Sequence, residues 1–500
     1  MVVNATFTLL HSLPAFPILL VLTTSVAAAP ADAPAPAPAA GPLRVHPDNP
    51  RYFTDGTQSA DGRLRVVYLT GSHTWPNLID RGPKDPPEPF DFDAYLRLLR
   101  GHDHNFVRLW GRHVTWYHGY GGDDRPVLFA RPLAWPRTGP GLALDGKPKF
   151  DLTKFEPAYF ERLRTRVESA GRQGVYVGVM LFGGSYECRG GWRGNPFNAA
   201  NNVNGIDGDA NHDGEGLETQ ALHDPAVTAI QEVYVRKIID TVNDLDNVLF
   251  EIANEGDASS KAWQNHFVRF VRECEATKAR RHPVGMTALM DNDNDVLYAS
   301  DADWVSPSTG DVAGLAKLPP ADGRKVVLLD SDHWFIHAIL KDEDFGRDWV
   351  WKALCDGHNP ILMEQFPPYS GSEVPVTTDD PGHAASRRAM GATRRLADRI
   401  GLRSMTPRRE LSSTGHCLAA AGAEYVVYQP KGGAEFTLEL EAGRYRAQWF
   451  DARDGAPAGD AREVDAAGGA ETFRPPLDRA AVLCLKATAG DRAGKDRGRR

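Results

Sequence analysis

The feature that most constrains this chain is a repeat of texture between about residues 60 and 370. A short apolar run is followed by a loop, an amphipathic helix and another apolar run. Eight such runs occur: Val66–Leu69, Asn105–Trp110, Val175–Leu181, Val248–Ala253, Pro283–Thr287, Trp304–Ser306, Val326–Leu329 and Pro360–Met363. Continuous apolar runs suit strands covered on both faces, and the helices between them imply parallel pairing by crossover. Core-facing spacing marks helices around Tyr159, Leu163 and Val167, around Val227, Ile230, Tyr234 and Ile238, and around Trp263, Phe267, Phe270 and Cys274. This pattern predicts a (β/α)8 TIM barrel over residues 46–400, not an open doubly wound sheet. No G-x-G-x-x-G follows the first run, which removes the main support for a dinucleotide fold.

Beyond residue 405 the texture changes to short strands split by Gly- and Asp-rich turns: Tyr425–Tyr428, Glu435–Leu440, Tyr445–Phe450 and Ala480–Leu485. Residues 405–487 are therefore predicted to form a small antiparallel β-sandwich, and the polar, basic residues 488–500 a disordered tail. At the other end Phe7–Leu22 is mostly apolar, and Val26-Ala27-Ala28-Ala29 supplies small residues for cleavage. Residues 1–29 thus read as a signal peptide, although no Lys or Arg stands among the first ten. Residues 30–45, with alternating Ala and Pro, read as a semi-rigid linker. The expected location is secreted or periplasmic, with no integral membrane segment. A net charge of −9 argues against nucleic acid as partner. The five cysteines are too scattered for a disulfide framework; Cys417 and Cys484 share the β unit, where a bridge and two buried thiols are equally open. The oligomeric state is not legible.

In such a barrel the reacting groups stand at the C-terminal ends of the strands. Polar residues collect there: His73 and Trp75 after the first run, Arg108 and Trp110 on the second with Arg112 and His113 beyond, and Phe182–Glu187 after the third. Asn254 and Glu255 follow the fourth, Asp330-Ser331-Asp332-His333-Trp334 the seventh, and Glu364 the eighth. Carboxylates, imidazoles, an arginine and several indoles on one rim point to a polar active site.

These residues resemble those of the clan A glycoside hydrolases, the cellulase-like and apiosidase-like barrels. The resemblance rests on Ile252-Ala253-Asn254-Glu255 after the fourth run and Arg108 in the second. It implies a glycosidase, with Glu255 as acid/base, Asn254 bonding the sugar 2-hydroxyl, and Arg108 orienting the nucleophile. A pairing with a C-terminal β domain that carries a collagen-binding name is similar too, and that name is no evidence of collagen binding. The clan nucleophile is a Glu after the seventh strand, where this chain has Asp330 and Asp332. Strand alternation would put both on one face, and Asp332, lying further out, is the first choice, then Asp330, then Glu364. A carboxyl separation of about 5–5.5 Å would give retention, and about 6.5–9.5 Å inversion. His73 and His333 are candidates to bind hydroxyls or tune the acid, and Trp75, Trp110 and Trp334 to stack on sugar rings, one of the three being core. The implied partner is a carbohydrate.

No cofactor is expected for catalysis. A structural Ca2+ is one reading of the acidic loop Asp207, Asp209, Asn211, Asp213 and Glu218, whose oxygens recur at alternate positions. His212 or Gln220 breaks the calcium pattern in either register, and a solvated turn rich in Asx hydrogen bonds is the other reading. The alternative function is a non-catalytic carbohydrate-binding or adhesion protein on a barrel scaffold. A metal hydrolase using His73, Asp332 and His333 lacks any supporting signature, and so does a collagen protease.

Overall fold

The computed structural model describes residues 37–118, 127–308, 323–333, 342–364, 366 and 380–488. The expected signal peptide, the start of the expected linker, Trp334 and the residues beyond 488 lie outside the described residues.

Eight parallel strands close into a barrel: β1 (Gly71–His73), β2 (Phe106–Leu109), β3 (Tyr176–Phe182), β4 (Val248–Ala253), β5 (Val284–Thr287), β6 (Trp304–Ser306), β7 (Val326–Asp330) and β8 (Asn359–Met363). Around them lie α1 (Phe92–Gly101), α2 (Pro157–Arg172), α3 (Pro225–Val242), α4 (Lys261–Glu275), α5 (Asn294–Ala299), α6 (Glu343–Cys355) and α7 (Pro381–Ala397). Start signals in the sequence explain where several begin. Asp91 caps α1, while Glu156 and Asp224 cap α2 and α3, each of which opens on a proline that needs no N–H partner. No helix among the described residues is long and apolar enough to cross a membrane.

Alternation along the strands sorts side chains into two environments. Val107 and Leu109 on β2, Phe250 and Ile252 on β4, and Val327 and Leu329 on β7 face the helices and share their core. The alternate residues Phe106, Leu249, Leu328 and Ile361 join Leu69 and Trp304 in a plug at the barrel floor. Two residues further along the same inward rows come Arg108, Glu251 and Asp330, so the strand period itself lifts three charges onto one layer above the floor.

Two boundaries differ from expectation. Val66–Leu69 is not the first barrel strand: Val67 bridges to Phe53, Leu69 N–H donates to Asn359 Oδ1 (2.9 Å), and the ladder begins at Gly71. Asn side chains, here and at Thr70 N–H to Asn105 Oδ1 (3.0 Å), satisfy the backbone before the ladder takes over. The spacer reading also fails from Ala39 on. Ala39 N–H donates to Gly171 O, Tyr176 O–H donates to Ala40 O, and Leu43 is fully buried in the floor plug.

The C-terminal region holds a six-stranded antiparallel sheet, β9 (Thr406–Pro407), β10 (Cys417–Ala420), β11 (Glu424–Gln429), β13 (Gly443–Asp451), β14 (Arg462–Ala466) and β16 (Ala481–Ala487), plus a pair, β12 (Phe436–Leu440) with β15 (Gly469–Phe473). Both faces of the larger sheet are covered. Tyr425, Val427, Leu483 and Leu485 pack on Phe436, Leu438 and Phe473 of the pair, forming the expected sandwich. Leu418, Val426, Tyr428 and Val482 on the other face join the core beneath the barrel helices. The same alternation puts Cys417 on one face and Cys484 on the other, and all five cysteines are free thiols. Trp351 of α6 anchors the junction: its Nε1–H donates to Ala452 O (2.6 Å), and its ring stacks on Tyr428 (centroids 6.2 Å apart). Trp351→Ala leaves a large void at this junction and is expected to cost about 3–5 kcal/mol, read by urea denaturation.

Candidate active site

Arg108 stands at the centre of the barrel mouth and is almost fully buried. Its Nε donates to Glu251 Oε2 (2.7 Å), and its Nη2 donates to Glu251 Oε1 and to Asn254 Oδ1 (2.7 Å). Its Nη1 faces Asp330 Oδ2 (3.4 Å) and Asp332 Oδ2 (3.8 Å). Burial disfavours a charged guanidinium, but the neighbouring carboxylates, Glu251 foremost, more than offset it and hold Arg108 firmly protonated.

Both histidines are fixed in a single neutral tautomer by what surrounds them. Trp110 Nε1–H donates to His73 Nδ1 (2.8 Å), so the His73 proton sits on Nε2 and is donated to Asp330 Oδ1 (2.9 Å). Burial pushes His333 down to about 3, against the pull of Asp330. Its Nδ1 accepts from Ser306 Oγ (2.8 Å), and its Nε2 donates to Asn254 Oδ1 (3.1 Å). Neither imidazole therefore keeps a nitrogen for a ligand; they position Asp330 and Asn254. With two donors on Oδ1, the Asn254 amide is oriented with Nδ2 away from Arg108.

The two aspartates do not share a strand face as alternation suggested. The strand ends at Asp330, and Ser331–His333 turn as a short 3-10 helix, with Asp332 N–H donating to Asp330 Oδ1 (2.9 Å). Asp330 lies deeper and carries the hydrogen bonds. Burial works against its charge, but the hydrogen bond from His73 and the charge of Arg108 outweigh burial and hold it below the usual carboxylate range. Asp332 is further out, its side chain 11% exposed against 4% for Asp330, and its Oδ2 accepts no hydrogen bond among the described residues. Burial and the Asp330 charge push its carboxyl up.

Glu255 follows β4 with a left-handed backbone (φ 43°), a strained setting for a residue with a side chain. Its carbonyl accepts from Ser185 Oγ (2.8 Å), and Gly184 makes this approach possible: a Cβ there would lie 1.3 Å from Asn254 O. Burial, then the charge of Asp332, raise the Glu255 carboxyl well above its ordinary value, against a hydrogen bond from Tyr186 and the field of Arg108. Two carboxyls of unequal proton affinity at one barrel mouth are what acid catalysis beside a nucleophile requires.

Other candidates fall elsewhere. Glu364 is sealed away from the mouth, accepting from Ser72 Oγ (2.6 Å) and Arg387 Nη1 (2.5 Å). Trp110 is a buried core indole; its face carries Arg108 (4.6 Å) and Arg112 (4.9 Å). Trp75 is partly exposed, with Arg81 5.0 Å over its ring. Several oxygens of the acidic loop accept hydrogen bonds within the loop. Asp209 accepts from Asp213 N–H and Gly214 N–H, Asp207 from Asp209 N–H, and Asn211 Nδ2 donates to Asp213 and Glu218. Among the described residues no three His, Cys, Asp or Glu side chains converge to hold a metal. The loop instead braces the site: Gln220 Nε2 donates to Gly184 O (2.9 Å), and Arg189 pairs with Asp257 (3.0 Å) and Glu215 (3.5 Å).

Glu251 and Tyr186 belong to the site and were not singled out by sequence reasoning. A charged residue inside the apolar run Val248–Ala253, in inward parity, was the available signal for Glu251. For Tyr186 it was a phenol in the turn after the strand next to β4.

A family model described as a domain of unknown function (DUF6298) matches residues 119–305, from the loop after β2 into β6. No curated protein matches the chain. Among solved structures, one described as a glycoside hydrolase is 12% identical, with 90% of this chain and 98% of its own aligned at a TM-score of 0.55. A glycoside hydrolase family 5 protein from Bacteroides vulgatus ATCC 8482 is also 12% identical, over 90% and 94% of the two chains, at a TM-score of 0.54. At such identity the likeness establishes the fold. That shared fold, a (β/α)8 barrel followed by a β domain, is the architecture that the clan A resemblance implied.

The electrostatics of Glu255 give a stability prediction. Its raised carboxyl favours the native state fully below its ordinary value of 4.5, and that contribution is lost as pH rises through the higher native value. Glu255→Gln removes both the titration and the repulsion from Asp332. It is expected to flatten the loss of stability above neutral pH and to raise the melting midpoint at pH 8 by on the order of 2 °C, checked by calorimetry across pH.

Proposed function

We propose that this chain is a secreted glycoside hydrolase that cleaves O-glycosidic bonds of a poly- or oligosaccharide by a retaining mechanism, with Glu255 as acid/base and Asp332 as nucleophile. The observation that carries this reading is the division of labour at the barrel mouth: Glu255 holds its proton because burial and the Asp332 charge favour it.

In the first step Glu255 donates its proton to the leaving oxygen while ionised Asp332 attacks the anomeric carbon, giving a glycosyl ester. Glu255, now a carboxylate, takes a proton from water, which hydrolyses the ester and releases Asp332. Asp330 stays ionised throughout and, with Arg108, fixes the backbone and charge around Asp332. Asn254 offers its Nδ2 to a sugar hydroxyl, and Trp75 offers a ring face. Trp334 retains its proposed stacking role. The export signal read in the first 29 residues suits an enzyme whose substrate is an extracellular glycan.

The test is hydrolysis of a panel of plant and microbial polysaccharides by wild type and Glu255→Gln, with product anomers followed by NMR. Sugar released with retained configuration, and a fall of about 10²–10⁴ in rate for the variant, is expected. Because both carboxyls are pushed up, the rate optimum is expected near neutral pH, with the alkaline limb belonging to Glu255. Hydrolysis unchanged in the variant overturns the assignment of Glu255. Binding of a glycan without turnover overturns the enzyme reading in favour of a binding protein.

A further inference from the structure

We propose that Glu251 is a positioning residue that divides the charge of Arg108 and so sets where on the pH scale the carboxyls at the mouth exchange their protons. The proposal deepens the two-carboxyl reading and rests on it for its catalytic meaning.

Arg108 gives one of its two paired, two-point edges to Glu251 through Nε and Nη2, and Nη2 donates to Asn254 as well, so the second edge cannot form a pair. Glu251 is 1% exposed and lies one layer below the mouth, on the inward row of β4, where no substrate reaches it. What remains for the aspartates is a single nitrogen, Nη1, at 3.4 Å from Asp330 and 3.8 Å from Asp332. The layer is tightly packed: a void of about 10 Å³ lies between Arg108, Glu251, Ser306 and Asp330, room for one water at most. In such surroundings a charge compensated by a paired partner projects a much weaker field than a bare one.

The groups that feel this field come from five of the eight strand ends at the mouth. They are His73 from β1, Arg112 after β2, Tyr186 after β3, Glu255 after β4, and Asp330, Asp332 and His333 from β7 and its turn. His73 and His333 are held neutral by their hydrogen bonds. Of the two guanidinium groups that act on Asp332, Arg108 and Arg112, Arg108 is the one within ion-pair reach of both aspartates, and Glu251 decides how much of its charge the reacting carboxyls receive. Without Glu251 the full guanidinium charge would hold Asp332 and Glu255 ionised to lower pH, and Glu255 would lose its acid form in the neutral range.

The experiment follows the Glu255 and Asp332 carboxyl resonances by 13C NMR as a function of pH, without substrate, in wild type, Glu251→Gln and Glu251→Asp. Assignments come from Glu255→Gln and Asp332→Asn. In Glu251→Gln both titrations are expected to move to lower pH by about one unit. Glu251→Asp, whose carboxylate is drawn back by one methylene, moves them the same way by less and serves if the Gln variant does not fold. Titrations that stay within about 0.2 units of wild type in a folded variant overturn the proposal and leave Glu251 a purely structural partner. Because the readout needs no turnover, absence of hydrolysis would count against the glycosidase reading alone.

Discussion

Everything at the mouth of this barrel depends on one buried guanidinium. A charge in the position of Arg108 persists only if it is paired and hydrogen-bonded on most of its edges, and the site supplies Glu251, Asn254, Asp330 and Asp332 for that purpose. The arrangement runs both ways. Arg108 allows four acidic groups to crowd one small volume, and they in turn allow it to be buried. Crowding beyond what one cation can neutralise leaves an electrostatic deficit at the outermost members, Asp332 and Glu255. The deficit is relieved by holding a proton. The acid function proposed for the site therefore rests on charge arithmetic in a tightly packed layer more than on any single contact.

The barrel is what makes that layer. The inward rows of β2, β4 and β7 put Phe106, Leu249 and Leu328 in the floor and, one period later, Arg108, Glu251 and Asp330 above them. The register carries this across strands, with Arg108 paired to Gly178 of β3 and Met180 of β3 paired to Glu251. Small residues then let the loops approach. Gly184 sits where no side chain fits, and the strained Glu255 backbone is held by Ser185. The acidic loop and Arg189 brace these turns from outside, and the C-terminal sheet clamps α6 through Trp351 and Tyr428.

The sequence carried the fold because the barrel is a property of periodicity. Seven of the eight strands were legible from apolar runs, while Val66–Leu69 marked the floor beneath β1 and not β1 itself. The rim was legible as a set but not as a hierarchy. Glu364 and Trp110 look the same in sequence as Asp332 and Trp75, yet the first two are buried by partners far along the chain, Arg387 and His73. Whether a carboxyl at a strand end faces the mouth or a helix depends on such long-range pairing, which no local pattern encodes. Alternation also misled at Asp332, because the strand stops at Asp330 and a 3-10 turn takes over. Glu251 was readable in principle, since a carboxylate on an inward row demands a cation, and Arg108 sits on a neighbouring inward row.

The central claim is that Asp332, the outer aspartate with an oxygen accepting no hydrogen bond, reacts, while Asp330 is locked as an ion beneath it. Incubation with a 2-deoxy-2-fluoroglycoside of the preferred sugar, which forms the glycosyl ester but slows its hydrolysis, followed by peptide mass spectrometry, tests this directly. The account predicts one sugar attached to Asp332. A sugar on Asp330, or turnover of the natural substrate with inverted configuration and no adduct, would contradict it.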